Sequence, residues 1–543
     1  MGGIVLGERL LLDCTLRDGG YVNNWEFGYD QIVEIFERLV SSGVEFIEVG
    51  FLDEKSSFDR GRTVLPDTAS VSRMFEGVSK GNSLVLGMID YGACSIERLE
   101  PCEETFLDGI RVIFKESKME EALKFCAEVK KLGYKVFAQM VSVTTYTDEK
   151  LAEYAKLVNE VMPYATSMVD TYGLLDEEHL CHIYGILDAN LEPQIRVGYH
   201  AHNNFQLGYA NAKHFLSLDS ERGLLADGTL YGMGKSAGNA PLELLMMFRN
   251  KKQGARYDVN QVLEAIDNVI LDIYQKQYWG YNLFFYIASS MHCHPNYVKN
   301  LMNKRTLSVK QIRDILGSLE VSKSLLYDEA YIEKLYREYQ SIECDDSATL
   351  RLLTEKLSDR PLLILGPGRS MEKERSKVEK FIADKKPIVI SVNYAPEDIE
   401  VTSIFLTKAK RYTQLVSDLH RSINKGKPIL ATSNVTKIEG DFPYVLNYSS
   451  LIDRDTEIID NSLIMLLKVL LRMKVSTVSL AGFDGYSKRA SNYFDESREY
   501  SFAKSKADYL NAYVKDFLNR IKDEMTVNFI TKTRYEWQGK DGE

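Results

Sequence analysis

Short runs of β-branched and other apolar residues alternate with longer amphipathic stretches through the first half of the chain. Stretches such as YDQIVEIFERLVSSG repeat their apolar positions with helical periodicity and end near a glycine that suits a helix C-terminus. Eight such units are typical of a (β/α)₈ TIM barrel, with an open doubly wound sheet as the alternative. We predict the barrel over residues 1–256, with strands at 10–15, 46–51, 83–90, 109–114, 135–143, 167–173, 195–203 and 224–232.

The pattern changes twice after the barrel. Strand signals disappear over 257–356, where QVLEAIDNVILDIYQKQY and DEAYIEKLYREYQS predict a helical segment. Alternation then resumes, and residues 357–543 are predicted to form a second α/β domain with an open sheet. Its predicted strands are 361–368, 387–393, 403–407, 427–433, 444–449 and 475–485.

Composition limits the class of protein. The chain has 543 residues, of which 45% are hydrophobic and 27% charged, as is typical of a globular protein with two or three domains. A net charge of −11 argues against nucleic-acid and membrane partners. Seven cysteines without a C-x-x-C pattern indicate reduced thiols, and Glu8 and Arg9 interrupt the first apolar stretch too early for a signal peptide. We therefore expect a cytoplasmic protein, assembled as a homo-oligomer.

The seventh predicted strand carries two histidines. His200 and His202 are two positions apart, so on a strand their side chains point to the same side. The alternative is one histidine in the core and one on the surface. Catalytic groups of such barrels come from the carboxyl ends of the strands, where a pair of imidazoles can bind a metal ion.

The first two strands add charged residues. Arg17 and Asp18 follow the first strand, and Gly19 leaves room for close approach of a ligand. Glu48 lies within the apolar second strand, where a carboxylate needs a partner, and Arg17 is the expected one. The alternatives are a surface ion pair and a glutamate that reaches solvent. Two imidazoles with the Asp18 carboxylate would suit Mn²⁺, Mg²⁺, Fe²⁺ or Zn²⁺.

The loop after the eighth strand, YGMGKSAGNAPLE, is rich in glycine. Its backbone around Gly234 and Lys235 can offer donors to an anionic substrate, and Asn239 can offer a fourth metal ligand. A glycine-rich loop is weak evidence by itself. Its position after the last strand of the barrel strengthens the interpretation.

Four segments together resemble one family. LDCTLRDG, IEVG, HAHN and GMGKSAGN occur in order on the expected strands, as in the DRE-TIM metallolyases, which include hydroxymethylglutaryl-CoA lyase and isopropylmalate synthase. The GNAPLE extension is most similar to the 4-hydroxy-2-oxovalerate aldolase branch. The resemblance implies a divalent metal, Mn²⁺ foremost, on Asp18, His200, His202 and Asn239. It also implies that Arg17 stabilises an enolate and that Glu48 holds Arg17.

The resemblance predicts an aldolase that acts on a 2-oxo acid and an aldehyde. One position departs from that branch, because Tyr21 stands where those aldolases carry a histidine base, and tyrosine is a poor base at neutral pH. We take Tyr21 as a candidate catalytic residue. The alternatives are an acyl-CoA condensing enzyme of the isopropylmalate synthase type and a non-catalytic metal-containing binding protein.

Two further segments have candidate roles. The aromatic stretch near Tyr281, Tyr286, His292 and His294 either reaches the mouth of the barrel or packs in a helical core, and we favour the core. In the C-terminal domain, LILGPGRS reads as a strand, a glycine-rich turn and a helix, an arrangement that can cradle phosphate. This domain resembles the nucleotide-binding sheet of bacterial sialyltransferase-like and pterin-diphosphokinase-like proteins. The resemblance implies a nucleotide or nucleotide-sugar ligand, whereas the residues themselves are equally compatible with a scaffold or dimerisation domain, and both interpretations stay open.

Overall fold

The computed structural model describes residues 7–304, 307–357, 360–435, 437, 440–454, 456–496, 499 and 502–536. The chain divides into two compact units, Met1–Pro295 and Asn296–Glu543. The domain boundaries at 256 and 356 stay predictions. Among the described residues, no helix is both long and apolar enough to cross a membrane.

The first unit contains a closed parallel barrel. Eight strands pair in the order β1, β2, β4, β5, β6, β7, β8 and β9, and β9 pairs back with β1, which confirms the predicted TIM barrel. The two-residue strand β3 adds to β2 outside the ring. The strands are β1 (Arg9–Asp13), β2 (Phe46–Leu52), β3 (Val64–Leu65), β4 (Leu84–Asp90), β5 (Gly109–Phe114), β6 (Lys135–Met140), β7 (Ala165–Asp170), β8 (Arg196–Ala201) and β9 (Leu224–Gly228).

Helices cover the outside of the barrel. Their apolar faces bury residues such as Ile32, Phe36 and Leu39 of α2 against the outer side of the strands. Capping residues set several starts, as when the Asp176 carboxylate accepts the His179 N–H at the start of α6. The helices of this unit are α1 (Gly20–Asn23), α2 (Tyr29–Ser42), α3 (Thr68–Met74), α4 (Met119–Lys131), α5 (Asp148–Val161), α6 (Glu177–Asn190), α7 (Gly208–Leu216), α8 (Leu242–Lys252), α9 (Val259–Ala265), α10 (Leu271–Lys276) and α11 (Leu283–Ser290).

The barrel interior has an apolar layer and a polar layer. A separate buried cluster that includes Phe46, Phe137 and Leu225 fills the interior toward the amino ends of the strands. Two residues further along the same strands stand Glu48, Gln139 and Asp227, all buried. Because side chains two apart on a strand share a face, these polar groups point into the barrel toward its carboxyl end.

The second unit is an open parallel sheet with helices on both faces, as predicted. Its strand order is β14, β13, β12, β11, β10, β15 and β16, and one apolar core lies on each face. The strands are β10 (Leu362–Leu365), β11 (Ile388–Val392), β12 (Ser403–Leu406), β13 (Ile429–Thr432), β14 (Tyr444–Leu446), β15 (Thr477–Ala481) and β16 (Thr526–Phe529). The helices are α12 (Pro295–Asn303), α13 (Val309–Leu316), α14 (Val321–Ser324), α15 (Glu329–Gln340), α16 (Ser347–Leu357), α17 (Ser370–Lys373), α18 (Arg375–Lys385), α19 (Ala409–Arg421), α20 (Ser462–Arg472), α21 (Phe502–Ser505) and α22 (Ala507–Ile521).

Candidate active site and metal centre

The segment after β1 is a tight turn that fixes Arg17 and Asp18. Residues Thr15–Gly19 form one π-helical turn, and all five are buried. The Trp25 indole N–H donates to the Arg17 carbonyl at 2.7 Å. Gly20 permits this contact, because a Cβ there would overlap the indole ring. The backbone of the turn is therefore held in place before any ligand binds.

Arg17 lies between two carboxylates, as the sequence predicts for Glu48. Its Nε donates to Glu48 Oε2 at 2.7 Å and its Nη1 to Asp18 Oδ1 at 2.6 Å. Burial acts to lower the pKa of Arg17, but Glu48 and Asp18 together raise it well above its usual value. Burial likewise acts to raise the pKa of Asp18, and Arg17 with the two nearby histidines holds it well below its usual range. Arg17 and Asp18 are therefore charged at neutral pH.

Asp18, His200 and His202 meet at the carboxyl end of the barrel. One ligand atom from each lies within 4.8 Å of the other two, and all three residues are buried. Nδ1 of His200 lies 2.9 Å from Asp227 Oδ2, which leaves its Nε2 available to a ligand. Burial lowers the pKa of His202 to about 3, and its buried Nδ1 has no hydrogen-bond partner among the described residues. A neutral imidazole with an unsatisfied buried nitrogen fits a metal site.

Asn239 completes this group. Its Nδ2 donates to Asp18 Oδ2 at 2.6 Å, while its buried Oδ1 has no partner within the described part of the chain. A β-bridge between His202 and Asn239 holds the loop against β8. The donor set of nitrogen and oxygen atoms suits a divalent ion of the Mn²⁺, Mg²⁺, Fe²⁺ or Zn²⁺ kind.

The glycine-rich loop approaches Asp18 through its backbone. The Lys235 N–H donates to Asp18 Oδ2 at 3.2 Å, whereas the Lys235 side chain is exposed. A Cβ on Gly234 would overlap the Asn239 amide and lie 2.6 Å from Asp18 Oδ2. A Cβ on Gly19 would lie 3.2 Å from the Met233 side chain. The predicted substrate-binding residues Gly19, Gly234 and Lys235 thus all border the metal group.

Arg111 and Asp227 belong to the site although the sequence analysis did not single them out. Arg111 on β5 is 1% exposed, and its Nη1 lies 3.3 Å from Glu48 Oε2. Its Nη2 contacts Asp227 Oδ2 at 2.5 Å and Gln139 Oε1 at 2.9 Å. Burial acts to raise the pKa of Asp227, but Arg111 and His200 lower it. A charged residue inside the apolar strand GIRVIF, and another inside LLADG, are the signals that could have identified them.

These contacts form one buried chain across the barrel. It runs from Asp18 through Arg17, Glu48 and Arg111 to Asp227 and then His200. The same ion pairs therefore position Arg17, which would stabilise negative charge, and also Asp18 and His200, which would bind metal. Such a network, once complete, holds its members in one arrangement.

Tyr21 lies at the rim of the site. Its ring packs edge-on against Trp25, with centroids 4.7 Å apart, and the Lys235 ammonium lies 5.2 Å from its centroid. Burial raises the pKa of Tyr21 to about 12. The side chain is therefore a neutral phenol at neutral pH, which suits a hydrogen-bond donor better than a base.

The aromatic segment after α10 contributes to the barrel mouth. The Ser289 hydroxyl of α11 donates to the Tyr172 carbonyl, in the loop after β7, at 3.2 Å. Burial lowers the pKa of His294, with further contributions from Lys235 and Lys115. His294 therefore lies near side chains of two barrel loops. Tyr281 and Tyr286 are exposed, at 54% and 39%, so the favoured prediction of a packed helical core does not describe them.

Comparisons with known proteins identify relatives of the first unit. Residues 9–269 match the family model described as HMGL-like. A 4-hydroxy-2-oxovalerate aldolase of Moorella thermoacetica is 28% identical over 265 residues, which are 48% of this chain and 76% of that protein. An oxaloacetate decarboxylase of Mycobacterium tuberculosis is 25% identical over 48% of this chain and 75% of that protein. Among solved structures, an HMG-CoA lyase of Bacillus subtilis superposes with a TM-score of 0.41 at 16% identity, covering 50% of this chain and 95% of that one.

Proposed function

We propose that the protein is a divalent-metal-dependent lyase that forms or cleaves a carbon–carbon bond of a 2-oxo acid. Residues 9–269 match the HMGL-like family model, and a 4-hydroxy-2-oxovalerate aldolase is among the relatives of this segment. The observation that supports this most directly is the convergence of Arg17 with Asp18, His200 and His202 in one buried group. A metal site alone would not require the ion-paired arginine beside it. The finer proposal is an aldolase that uses a pyruvate-type enolate and an aldehyde.

The names of the two relatives support the enolate as the shared species. Cleaving 4-hydroxy-2-oxovalerate to pyruvate and an aldehyde breaks the bond between C3 and C4. Decarboxylating oxaloacetate breaks the bond at the same place. Either cleavage leaves the electron pair on C3 as the enolate of pyruvate, which then takes up a proton. A site that stabilises this enolate serves both reactions. The general proposal therefore depends on the enolate alone, and the aldehyde belongs only to the finer proposal of an aldolase.

The metal ligands and Arg17 have different roles in the proposed reaction. A divalent ion on Asp18, His200, His202 and Asn239, with Mn²⁺ as the first choice, would act as Lewis acid and template for the two oxygens of a 2-oxo acid. Arg17 donates to the developing enolate oxygen through Nη2, which has no hydrogen bond within the described part of the chain. Its Nε and Nη1 are already bonded to Glu48 and Asp18. Because these bonds exist beforehand, little reorganisation accompanies the reaction.

The charges of the site favour an anionic substrate once a metal ion is bound. Three carboxylates, from Asp18, Glu48 and Asp227, face two guanidinium groups, from Arg17 and Arg111. This leaves one net negative charge, which a divalent ion converts to one net positive charge. The carboxylate of a 2-oxo acid then neutralises the site, so metal is expected to bind before substrate.

Proton transfer is assigned to the rim of the site. His294 is neutral at neutral pH, because its pKa is lowered, and is therefore able to accept a proton. Tyr21, with its raised pKa, would donate a hydrogen bond to the substrate or to a water molecule. His294→Gln removes the proposed proton acceptor, and Tyr21→Phe removes only the hydroxyl donor. Proton exchange measured in each variant separates the two roles.

Proton exchange tests the proposal without knowledge of the aldehyde. With Mn²⁺ present, the protein is expected to exchange the methyl protons of pyruvate or 2-oxobutyrate for deuterium in D₂O, followed by NMR. The His200→Ala/His202→Ala variant serves as the control that lacks the metal group. A protein that binds metal and 2-oxo acids yet shows no exchange above the buffer rate would favour the non-catalytic binding protein instead.

A further inference from the structure

Four apolar side chains form a ring at the mouth of the barrel, beyond the ion-paired layer. They are Met88 on β4, Ile113 on β5, Val141 after β6 and Val169 on β7. Each stands two positions beyond a residue whose contacts lie inside the barrel, so each faces the barrel axis. Met88 and Val169 are 1% and 8% exposed, yet they belong neither to the apolar core outside the barrel nor to the cluster that fills its interior. This apolar ring can therefore contact the carbon chain of a bound molecule.

Two exposed lysines stand at the outer edge of the apolar ring. Lys115 follows β5, two positions beyond Ile113, and Lys235 lies in the glycine-rich loop after β9. The Lys235 ammonium lies 5.2 Å from the centroid of the Tyr21 ring. The backbone N–H of Lys235 donates to Asp18, as described above. The rim of the barrel next to the metal group therefore carries cations on two different loops.

One carboxylate, Asp90, lies near both lysines. It is the last residue of β4 and shares the inward face of that strand with the apolar ring. Burial raises the pKa of Asp90, and Lys115 and Lys235 both act against this rise. Burial also lowers the pKa of His294, and the same two lysines lower it further. The two ammonium groups are therefore close enough to act together on one group at the mouth.

The charged side chains of the rim leave one net positive charge. Lys115 and Lys235 supply two positive charges and Asp90 one negative charge, and neither lysine forms an ion pair within the described part of the chain. Glu116, the residue after Lys115, acts instead on side chains of α5 and of the loop before it. The metal group itself is neutral once a divalent ion and the carboxylate of a 2-oxo acid are bound. One positive charge therefore remains at the mouth when the first substrate of the proposed reaction is in place.

We propose, building on the proposed lyase activity, that Lys115 and Lys235 recognise an anionic group at the far end of the bound molecule, so that the aldehyde carries a carboxylate or a phosphate. C3 of the pyruvate enolate adds to the carbonyl carbon of this aldehyde, whose oxygen takes up a proton. The product is a 4-hydroxy-2-oxo acid with a second anionic group. Its carbon chain passes the apolar ring, and its second anionic group reaches the two lysines.

Calorimetry on the full-length protein loaded with Mn²⁺ tests this recognition with a matched pair of stable probes. 2-Oxoadipate and 2-oxohexanoate have chains of the same length, and only the first ends in a second carboxylate. 2-Oxoadipate is expected to bind about tenfold more tightly, because each lysine adds a charge-assisted contact. Lys115→Gln and Lys235→Gln should each reduce this ratio of Kd values by about three- to fivefold, as is typical of an exposed ion pair.

Two further variants separate the rim charge from a general effect of mutation. Asp90→Asn removes the negative charge near the two lysines, and should therefore increase the preference for 2-oxoadipate by about three- to fivefold. Lys118→Gln removes a lysine from the same loop as Lys115. Because Lys118 pairs instead with Glu121 at 3.5 Å, this variant should leave the ratio unchanged.

The aldehyde reaction distinguishes a carboxylate from a phosphate. With pyruvate and Mn²⁺ present, succinic semialdehyde is compared with butanal, and D-glyceraldehyde 3-phosphate with D-glyceraldehyde. The anionic aldehyde that reacts faster than its neutral counterpart identifies the group that the two lysines recognise.

Three results would overturn the proposal. They are equal Kd values for 2-oxoadipate and 2-oxohexanoate, a ratio that both lysine variants leave unchanged, and neutral aldehydes that react as fast as both anionic ones. Failure of the proposed lyase activity gives a different result. The preference for 2-oxoadipate would then persist, and it would still depend on both lysines, while pyruvate shows no proton exchange.

Discussion

At the residue scale, the three nitrogens of the Arg17 guanidinium have different tasks. Nε and Nη1 are hydrogen-bonded to Glu48 and Asp18, and in the proposed reaction Nη2 donates to a substrate oxygen. We therefore expect Arg17→Ala to slow methyl-proton exchange by about 10²–10³, the usual effect of removing one oxyanion donor. Arg17→Lys should restore little of the rate, because an ammonium holds its donors on one nitrogen and does not reproduce the planar spread of the guanidinium between Glu48, Asp18 and the substrate. Mn²⁺ affinity is measured in parallel, because a variant whose site has collapsed loses metal as well as exchange rate. Full restoration of the exchange rate by Arg17→Lys would contradict the proposed role of Arg17.

Asp227 is expected to act on the metal through His200. Its carboxylate lies 2.9 Å from His200 Nδ1 and 2.5 Å from Arg111 Nη2, so it orients the imidazole without being needed as a ligand. Asp227→Asn should weaken Mn²⁺ binding by about 10- to 100-fold, as is typical when the partner of a ligating histidine is lost. Calorimetry measures the change, and the exposed Asp219→Asn is the matched control. An unchanged Mn²⁺ affinity would show that Asp227 has no part in the centre.

His202 predicts a pH dependence of stability in the metal-free protein. Burial lowers its pKa to about 3 in the folded state, against about 6.5 in the unfolded chain. Between these values the unfolded state binds the extra proton, so the stability contributed by the neutral imidazole is present above pH 6.5 and is lost as the pH falls. The difference in free energy of unfolding between wild type and His202→Gln should therefore decrease by about 1.4 kcal/mol per pH unit below about pH 6. Urea titrations in EDTA at pH 7.5, 6.5 and 5.5 measure it, and a constant difference would refute the burial argument.

At the element scale, the loop after β9 brings Asn239 to Asp18. Gly234 makes this possible, since a Cβ there would overlap the Asn239 amide. Gly234→Ala should weaken Mn²⁺ binding by about tenfold or more while leaving the barrel folded. Gly185→Ala is the matched control, because a Cβ at Gly185 in α6 meets no atom within 4 Å. Equal Mn²⁺ affinities in calorimetry would mean that the loop can move without affecting the ligands.

The same scale shows what the sequence could and could not predict. The proximity of Asp18, His200 and His202 was predictable because they follow or end strands whose apolar pattern is clear, and strand ends meet at one side of a barrel. Their role as metal ligands stays a prediction. Arg111 was not predictable, because its partners Glu48 and Asp227 are 63 and 116 residues away along the chain. Only the closed ring of strands brings them together.

Local patterns also failed where tertiary contacts decide the role of a segment. The turn in LILGPGRS has the residues of a phosphate cradle, yet a carboxylate from a distant loop, Asp484, fills it. Strand β16 was not predicted, because its residues TVNF are partly exposed and carry no apolar run. The contacts that decide the structure of both segments come from strand β15 and the loop after it. The residues of each segment alone therefore do not predict its role.

At the scale of the whole molecule, two boundaries can be tested against each other. The sequence places the start of the C-terminal domain at 357, whereas the contacts of the structure group residues from Asn296 onward. Helix α16 contributes Leu353 and Leu357 to a core of the second sheet. The Arg472 guanidinium also binds Asp346 at 2.7 Å, just before that helix.

A chain of residues 296–543 should therefore be more stable than one of residues 357–543. Beginning the chain at 357 removes the buried Leu353 and leaves the buried Leu357 at a chain end without its helix. Burial of each leucine contributes about 1.5–3 kcal/mol, and the shorter chain also lacks Asp346, the partner of Arg472. Urea denaturation followed by circular dichroism measures the difference, and Arg472→Gln in the longer chain separates the ion pair from the leucines. In parallel, residues 1–295 should bind Mn²⁺ as tightly as the full chain, because Asp18, His200, His202 and Asn239 all precede the boundary. Equal stability of the two C-terminal pieces would instead support a boundary at 356, with residues 257–356 belonging to the barrel.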